Sequence, residues 1–371
     1  MPVRIGQFVD TDLFGGAEAL MIEFALQLPP RGYEVEIFHF DNPRFVSECR
    51  RRNVTLVHAP ASEDYKSIWT LPRFCREFAR MLKERRISLL HSHLIGSVSA
   101  GGFAARLAGI PHVGTLHDLY TVADDPRRIR LLQVAALLGT RLIAVAHVIE
   151  TFYRSLGWFP GNTLATIHNG ISTDARAVDR EQLRAQLGLP RQALVFVSVG
   201  RLIPLKRHSL ILEAFARLPA APDARLLIVG EGVERQALQT RAGELGIDQR
   251  VVFAGFREDV RAVLMASDVF MLTSSSEGLS CSLMEAMSAG IPSIVTDVGG
   301  NSELITDGSS GFVVDGTPES VASAMLRIGA DPTLRATFGR TAREAFERNF
   351  TAGRMIERYE MLYRRMLQRA R

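Results

Sequence analysis

Cysteine is scarce in this 371-residue sequence and follows no pattern. Cys49, Cys75 and Cys281 lie at no paired or metal-like spacing. That excludes a disulfide scaffold and a cysteine metal centre, and free thiols in a reducing, cytoplasmic compartment are expected. No run of about 18 apolar residues occurs, which excludes a membrane-spanning helix of ordinary length. No charged-then-apolar leader opens the chain. Met1-Pro2-Val3-Arg4-Ile5-Gly6 reads directly as strand, so no targeting segment is expected. The formal net charge of +4 is too small to argue for nucleic acid as a partner. Internal repeats and low-complexity tracts are absent as well.

What remains is an ordinary globular composition, 47% hydrophobic and 23% charged. The length suggests two domains, each able to bury its own core. Strand-like and helix-like patterns alternate along the chain. Strands are expected over 3–9, 35–40, 88–91, 112–116 and 142–146, with helices over 17–28, 71–86, 97–108 and 127–138. The alternation restarts with strands over 194–199, 224–229, 251–254, 269–272 and 293–296. Helices are expected there over 209–217, 233–245, 259–265, 282–289 and 320–328. Such alternation predicts an α/β fold with parallel sheets covered by helices on both faces. Asn169-Gly170 is strong turn punctuation and places the boundary near residue 170. The expected domains are 1–170, 171–350 and a C-terminal helix over 351–371. That helix carries an apolar stripe of Met355, Ile356, Tyr359, Leu362, Tyr363 and Met366, which needs a surface to pack on.

One stretch is locally basic. Between Arg44 and Arg86 there are eleven basic and five acidic side chains, with Ile68, Trp69, Leu71, Phe74 and Phe78 interleaved. Two readings stand: a face held on an anionic membrane surface, or a solvated helix whose apolar side enters the core.

The run from Ser274 to Met287 is the most informative for chemistry. Glu277 sits in a Ser/Gly loop after an apolar strand, and Glu285 follows eight positions later on a helix-forming stretch. In one continuous helix the two would lie roughly 12 Å apart and off a common face. They read better as one group on the strand-to-helix loop and one in the first turns of the helix. Gly278, Leu279 and Ser280 lead into that helix, whose first N–H groups can take an anion. Two acceptors for hydroxyl groups therefore flank a phosphate-binding mouth, which suits a nucleotide sugar.

Gly200-Arg201 and Lys206 follow another strand. Arg201 can grip phosphate oxygens with two N–H groups and Lys206 adds a point charge. Two cations suit a departing diphosphate; a solvated basic loop is the plainer alternative. Gly15 and Gly16 stand between a strand and a helix, where close backbone approach to phosphate is allowed. Asp10-Thr11-Asp12 just before them has the Asp-x-Asp spacing of a metal motif, but turn and cap roles are expected. His117 follows a strand at the same kind of edge, with Asp118 placed to orient it. His91 and His93 read as satisfied polar residues at a strand end. No Cys or Glu at ligand spacing completes a metal set with these histidines. Gly230, and Arg257 after Gly255-Phe256, end two further strands and could border a nucleobase or form ordinary turns.

In this order, Gly15-Gly16-Ala17-Glu18, Gly200-Arg201 with Lys206, Gly230-Glu231-Gly232, Glu277 through Glu285, and Gly299-Gly300-Asn301-Ser302-Glu303 resemble the retaining glycosyltransferases of family 4. The resemblance implies the GT-B fold: two Rossmann-like domains facing a cleft, with the C-terminal helix crossing back to the first. It implies that Arg201 and Lys206 hold the diphosphate, Glu277 contacts the donor sugar, and Glu285 binds the ribose hydroxyls. Gly16 would lend a backbone N–H, and His117 looks like the family's histidine near the sugar. It implies that no metal or other cofactor is needed.

The function expected is retaining transfer of a hexosyl group from a nucleotide diphosphate sugar, with UDP favoured. The acceptor expected is a hydroxyl of a lipid-linked or growing glycan, as in polysaccharide biosynthesis, with peripheral contact at the inner membrane face as one setting. Two rivals are a nucleotide-sugar epimerase of similar fold and a non-catalytic binding subunit.

Overall fold

A computed structural model describes residues 2–10, 15–61, 65, 67, 69–118, 127–161, 163–173, 178–219 and 223–369. The chain divides into two compact units. The first joins Met1–Ser172 to Ala352–Arg371, and the second is Thr173–Thr351.

In the first unit seven strands form one sheet: β1 Val3–Val9, β2 Tyr33–His39, β3 Leu56–His58, β4 Leu89–His93, β5 His112–Leu116, β6 Arg141–Ala144 and β7 Leu164–Thr166. Their spatial order is β3-β2-β1-β4-β5-β6-β7, and every pairing is parallel. Parallel strands are buried on both faces, which is why they read as near-continuous apolar runs. Ile5, Leu89 and Val113 join one apolar cluster, while Phe8 and Leu90 join another. Neighbours Leu89 and Leu90 thus serve opposite faces of the sheet.

The second unit repeats the plan with β8 Leu194–Val199, β9 Ala224–Val229, β10 Val251–Gly255, β11 Val269–Leu272, β12 Ser293–Thr296 and β13 Gly311–Val314. The order is β10-β9-β8-β11-β12-β13, again all parallel. Chain order reverses between β1 and β4 in one sheet and between β8 and β11 in the other. Loops at the carboxyl ends beside such a reversal are where open α/β sheets bind ligands.

The helix Ala352–Arg369 packs on the first unit. Met355, Ile356, Tyr359 and Tyr363 join the cluster of Ile5, Phe24 and Val113 and are at most 1% exposed. Each such burial is worth about 1.5–3 kcal/mol before the cost of ordering. Glu360 on the same helix accepts from Arg31 and Arg364 and faces the Tyr33 hydroxyl.

Several elements depart from the sequence expectation. The helices Pro43–Arg51, His147–Ser155 and Pro332–Asn349 and the strands β3 and β13 are additional. Pro332–Asn349 is marked by Asp331, which accepts from the Leu334 N–H, and by Pro332 at the first helical position. Gly339 interrupts its apolar stripe because a Cβ there would overlap the Gly290 carbonyl of a neighbouring helix. β4 runs two residues further than expected, to His93, so His91 and His93 occupy the end of the strand. In the helix Leu71–Glu84, Phe74 and Phe78 are fully buried, and Arg73 and Arg80 pair with Glu77 and Glu84. The solvated-helix reading describes this helix. Trp69 is 89% exposed, while Lys66 and Ile68 lie outside the described residues.

Candidate active-site loops of the two units

The loop after β8 carries Gly200, Arg201 and Lys206, and the loop after β11 carries Ser274 to Gly278. They are laced together. Ser275 N–H donates to the Leu205 carbonyl at 2.9 Å, and the Thr273 hydroxyl donates to the Arg207 carbonyl at 3.1 Å. This lacing brings the Lys206 ammonium to 2.5 Å from a Glu277 carboxylate oxygen, with side-chain exposures of 17% and 9%. The buried Ser274 hydroxyl donates to the same oxygen at 2.5 Å. A pair so sheltered holds each partner in place, because separating them would strand a charge in a low-dielectric site. Arg201 differs: it is exposed and has no hydrogen-bond or ion-pair partner among the described residues.

Glycines set how closely the loops approach. Gly230, at φ +140°, lies so near Gly200 that any Cβ would overlap the Gly200 carbonyl oxygen. Gly299, at φ +55°, lies under Glu277 in the same way. Gly300 N–H donates to the Gly278 carbonyl at 2.8 Å. Both positive-φ positions need glycine on conformational grounds as well.

The helix after this loop is Cys281–Ala289. Ser280 is its cap and accepts from the Leu283 N–H at 3.4 Å, and Leu279 is buried. Glu285 lies one turn in and is partly accessible. Its carboxylate has no hydrogen-bond partner among the described residues, and burial raises its pKa to about 7. An unsatisfied, partly sheltered carboxylate is suited to accepting hydroxyl groups. Arg257 lies two residues beyond β10, but its guanidinium is bound by the Asp259 carboxylate at 2.7 and 2.5 Å, which raises its pKa.

In the first unit, Gly15 precedes the helix Gly16–Gln27. The buried Glu18 carboxylate accepts from the Gly15 N–H at 2.7 Å. Gly15's donor is therefore engaged, and Gly16 heads the helix beyond it. Asp10 directly follows β1, and its N–H donates to the Ser97 hydroxyl at 2.7 Å. Thr11, Asp12 and Phe14 lie outside the described residues.

His117 follows β5. Its Nε2 lies 3.1 Å from His93 Nδ1, and His93 Nε2 lies 2.6 Å from the Gln7 carbonyl oxygen. Gln7 Nε2 reaches His91 Nδ1 at 3.4 Å; that nitrogen also meets the Tyr363 hydroxyl at 2.6 Å. His91 Nε2 meets the Thr115 hydroxyl at 2.6 Å, which contacts the Tyr359 hydroxyl at 2.9 Å. With Gln7 so oriented, His93 carries its proton on Nε2, so His117 donates from Nε2 and keeps a lone pair on Nδ1. Burial depresses the pKa of all three rings, that of His117 to about 4. They are therefore neutral near pH 7.

Sequence reasoning places Lys206, Glu277 and Glu285 at the loop–helix edge where they occur, but the Lys206–Glu277 ion pair is not foreseen in it. It misses the scaffolding roles of Ser274, Gln7 and His93. Ser274 lies two residues past the strand end, a readable signal. Gln7 and His93 offer only polarity inside apolar strands, a signal that something buried must satisfy them.

Residues 14–175 match the family described as Glycosyltransferase Family 4, and residues 179–345 match Glycosyl transferases group 1. The N-acetyl-alpha-D-glucosaminyl L-malate synthase of Bacillus anthracis is 26% identical over 94% of this chain and 93% of its own. The lipopolysaccharide core biosynthesis glycosyltransferase LpsE of Rhizobium meliloti is 36% identical over 68% of this chain and 71% of its own. Among solved structures, HepE of Anabaena in complex with UDP superposes with a TM-score of 0.84 at 22% identity, covering 97% of this chain and 99% of that one. Both sheets thus have the strand plan of GT-B glycosyltransferases, and the chain belongs to glycosyltransferase family 4, enzymes that transfer sugars from nucleotide sugars.

Proposed function

We propose that this chain transfers a hexosyl group from a UDP-sugar to a hydroxyl of a growing or lipid-linked glycan, with the anomeric configuration retained. The observation that carries this reading is the Lys206–Glu277 pair at the carboxyl edge of the second sheet, with exposed Arg201 and unsatisfied Glu285 on the adjoining loop and helix. UDP as carrier is supported by the UDP complex of Anabaena HepE. A glycan acceptor is supported by the lipopolysaccharide core relative of Rhizobium meliloti.

In this reading Arg201 and Lys206 hold the diphosphate and stabilise the charge it gains on leaving. Glu277, fixed by Lys206 and Ser274, contacts the donor sugar, and Glu285 accepts from the ribose hydroxyls. Backbone of Gly278, Leu279 and Ser280 approaches the phosphates, and Gly230 and Arg257 border the base. His117 offers its Nδ1 lone pair to a sugar hydroxyl. The bond between the anomeric carbon and the diphosphate oxygen breaks. The acceptor oxygen bonds to that carbon on the same face, and its proton passes to the leaving diphosphate. No protein nucleophile and no metal ion takes part in this reading, because two side-chain cations serve the diphosphate.

Calorimetry tests the division of roles. Glu285→Ala is expected to weaken binding of UDP itself, while Glu277→Ala leaves UDP binding nearly unchanged and impairs use of the sugar donor. Equal losses in both would refute the division. A thermal-shift comparison of UDP-, GDP- and ADP-sugars tests the base. The right donor at about 100 times its Kd stabilises by about 2.7 kcal/mol. For location, exposed Trp69 and the basic stretch 44–86 support peripheral binding to anionic membranes. Indifference to anionic vesicles at low salt would remove that part.

A further inference from the structure

A cavity of about 220 Å³ lies in the first unit between the edge strands β6 and β7 and the helix Ala352–Arg369. Arg141, Arg358 and Arg365 line it, with Met361, Leu362 and Thr166 between them. Residues 358, 361, 362 and 365 recur at helical spacing, so one helix face presents two guanidinium groups around an apolar floor. Among the described residues no carboxylate lines this cavity.

On the same helix Arg354 pairs with Glu357 and Arg364 with Glu360, and on the sheet Arg4 and Arg85 pair with Glu34 and Glu36. Arg358 and Arg365, by contrast, have no hydrogen-bond or ion-pair partner among the described residues. Arg141 is half-buried, and its Nε is buried without an acceptor among the described residues. Buried N–H groups are rarely left so. Glu150, the acid whose charge acts on Arg141, is occupied by Arg154 at 2.8 Å and by the Thr166 hydroxyl at 2.6 Å. Burial lowers the pKa of Arg141; Glu150 opposes this, while Arg154 and Arg369 add to it. The site therefore concentrates positive charge.

We propose that Arg141, Arg358 and Arg365 form a binding site for a phosphate-class dianion, supplied either as free phosphate or as the phosphate of a lipid headgroup. A phosphate group offers three or more acceptor oxygens to three planar forks, where a single carboxylate would be satisfied by one or two. It would give Arg141 Nε its acceptor and screen the like charges of the helix from those of the strand. Bound there, it ties the helix Ala352–Arg369 to β6. The site is separate from the donor-binding loops of the second unit and does not depend on the roles proposed for them.

The test uses the full chain saturated with UDP, so that added phosphate is not read at the diphosphate loops. Inorganic phosphate is titrated by calorimetry against chloride at equal ionic strength, with wild type, Arg365→Gln and the double variant Arg358→Gln/Arg365→Gln. Wild type is expected to bind phosphate. The double variant is expected to lose about tenfold or more, from the loss of charged hydrogen bonds, with UDP affinity and the far-ultraviolet spectrum unchanged. The single variant should fall between. Vesicles of phosphatidic acid, against phosphatidylcholine alone, separate the sources: retention by wild type but not by the double variant assigns a headgroup, and binding of free phosphate alone assigns the free ion. A phosphate effect no larger than chloride's with no retention on phosphatidic acid vesicles, or equal binding by wild type and double variant, overturns the proposal.

Discussion

The two units share one strand order yet place opposite chemistry at the reversal of that order. In the second, an ammonium and a carboxylate lie 2.5 Å apart beside an unpartnered arginine. In the first, neutral imidazoles, an amide, a threonine and two tyrosines are chained by hydrogen bonds with no charged member. The same architecture thus supports a site built for charge and a site built to hold one lone pair in a fixed direction. What differs is what lies behind the loops. Backbone-to-backbone lacing and glycine contacts hold the charged pair, whereas a helix from the far end of the sequence backs the histidines.

The sharpest way to break this comparison is to remove the charge. Lys206→Met is expected to lower turnover tenfold or more, since a charged hydrogen bond is worth about 1.5–3 kcal/mol. At 17% exposure Lys206 is more enclosed than a loop cation, so stability should also fall by about 1–3 kcal/mol as Glu277 is stranded. Lys206→Met/Glu277→Gln should cost less stability than the two single changes added together. Additive losses in denaturant melts would show that the pair is not a unit.

Acid should separate the units next. Burial holds the His112 pKa at about 3 and that of His117 at about 4, against 6.5 when unfolded. Between those values the unfolded chain takes up protons that the folded chain refuses, so stability falls as pH drops from about 6.5 and levels off near the folded values. His112 alone should cost about 2 kcal/mol at pH 5. His91 and His93 act in the same direction. The second unit is more balanced. His208, lowered to about 4, behaves likewise, but Glu285, raised to about 7, favours folding as pH falls from 7 towards 4.5. Hydrogen exchange at pH 5 should therefore quicken in β4 and β5 before β8 and β11. Equal acceleration in both sheets would contradict the contrast.

The smallest effect should come from the end of the relay. Tyr363→Phe deletes the hydroxyl 2.6 Å from His91 Nδ1 and should destabilise the first unit by about 1 kcal/mol. Nitrogen NMR should still find His117 protonated on Nε2, because His93 and Gln7 set its tautomer. A switch to the Nδ1 tautomer in Tyr363→Phe would mean that direction is imposed from the helix and not from Gln7.

These contrasts mark how far the sequence could be read. β8 and β11 are legible because their runs are apolar at nearly every position, and Glu277 because it follows such a run into a Ser/Gly loop. The family resemblance supplies roles that spacing alone does not. Gly299 beneath Glu277 is a contact between segments about twenty residues apart, which local pattern does not encode. The histidine relay depends on Tyr359 and Tyr363, more than 240 residues beyond Thr115. His91 and His93 look like strand-end polar residues until that helix covers them. Arg257 reads as a strand-end residue that could border a base or form a turn, and nothing in the sequence signals that Asp259, two residues on, folds back to bind it.

The return of the helix Ala352–Arg369 to the first unit also has a consequence for synthesis. Residues 173–351 emerge from the ribosome as one unbroken stretch, so the second unit can fold as soon as it clears the exit tunnel. The first unit must wait. At translation speeds of 5–20 residues per second, on the order of ten to forty seconds pass between Ser172 and the residues that complete its core. Throughout that interval Phe24, Tyr33 and Val113 face solvent across the groove that Ile356, Tyr359 and Tyr363 will fill. The half of the protein made first is thus finished last, and it is the half that nascent-chain chaperones should hold longest.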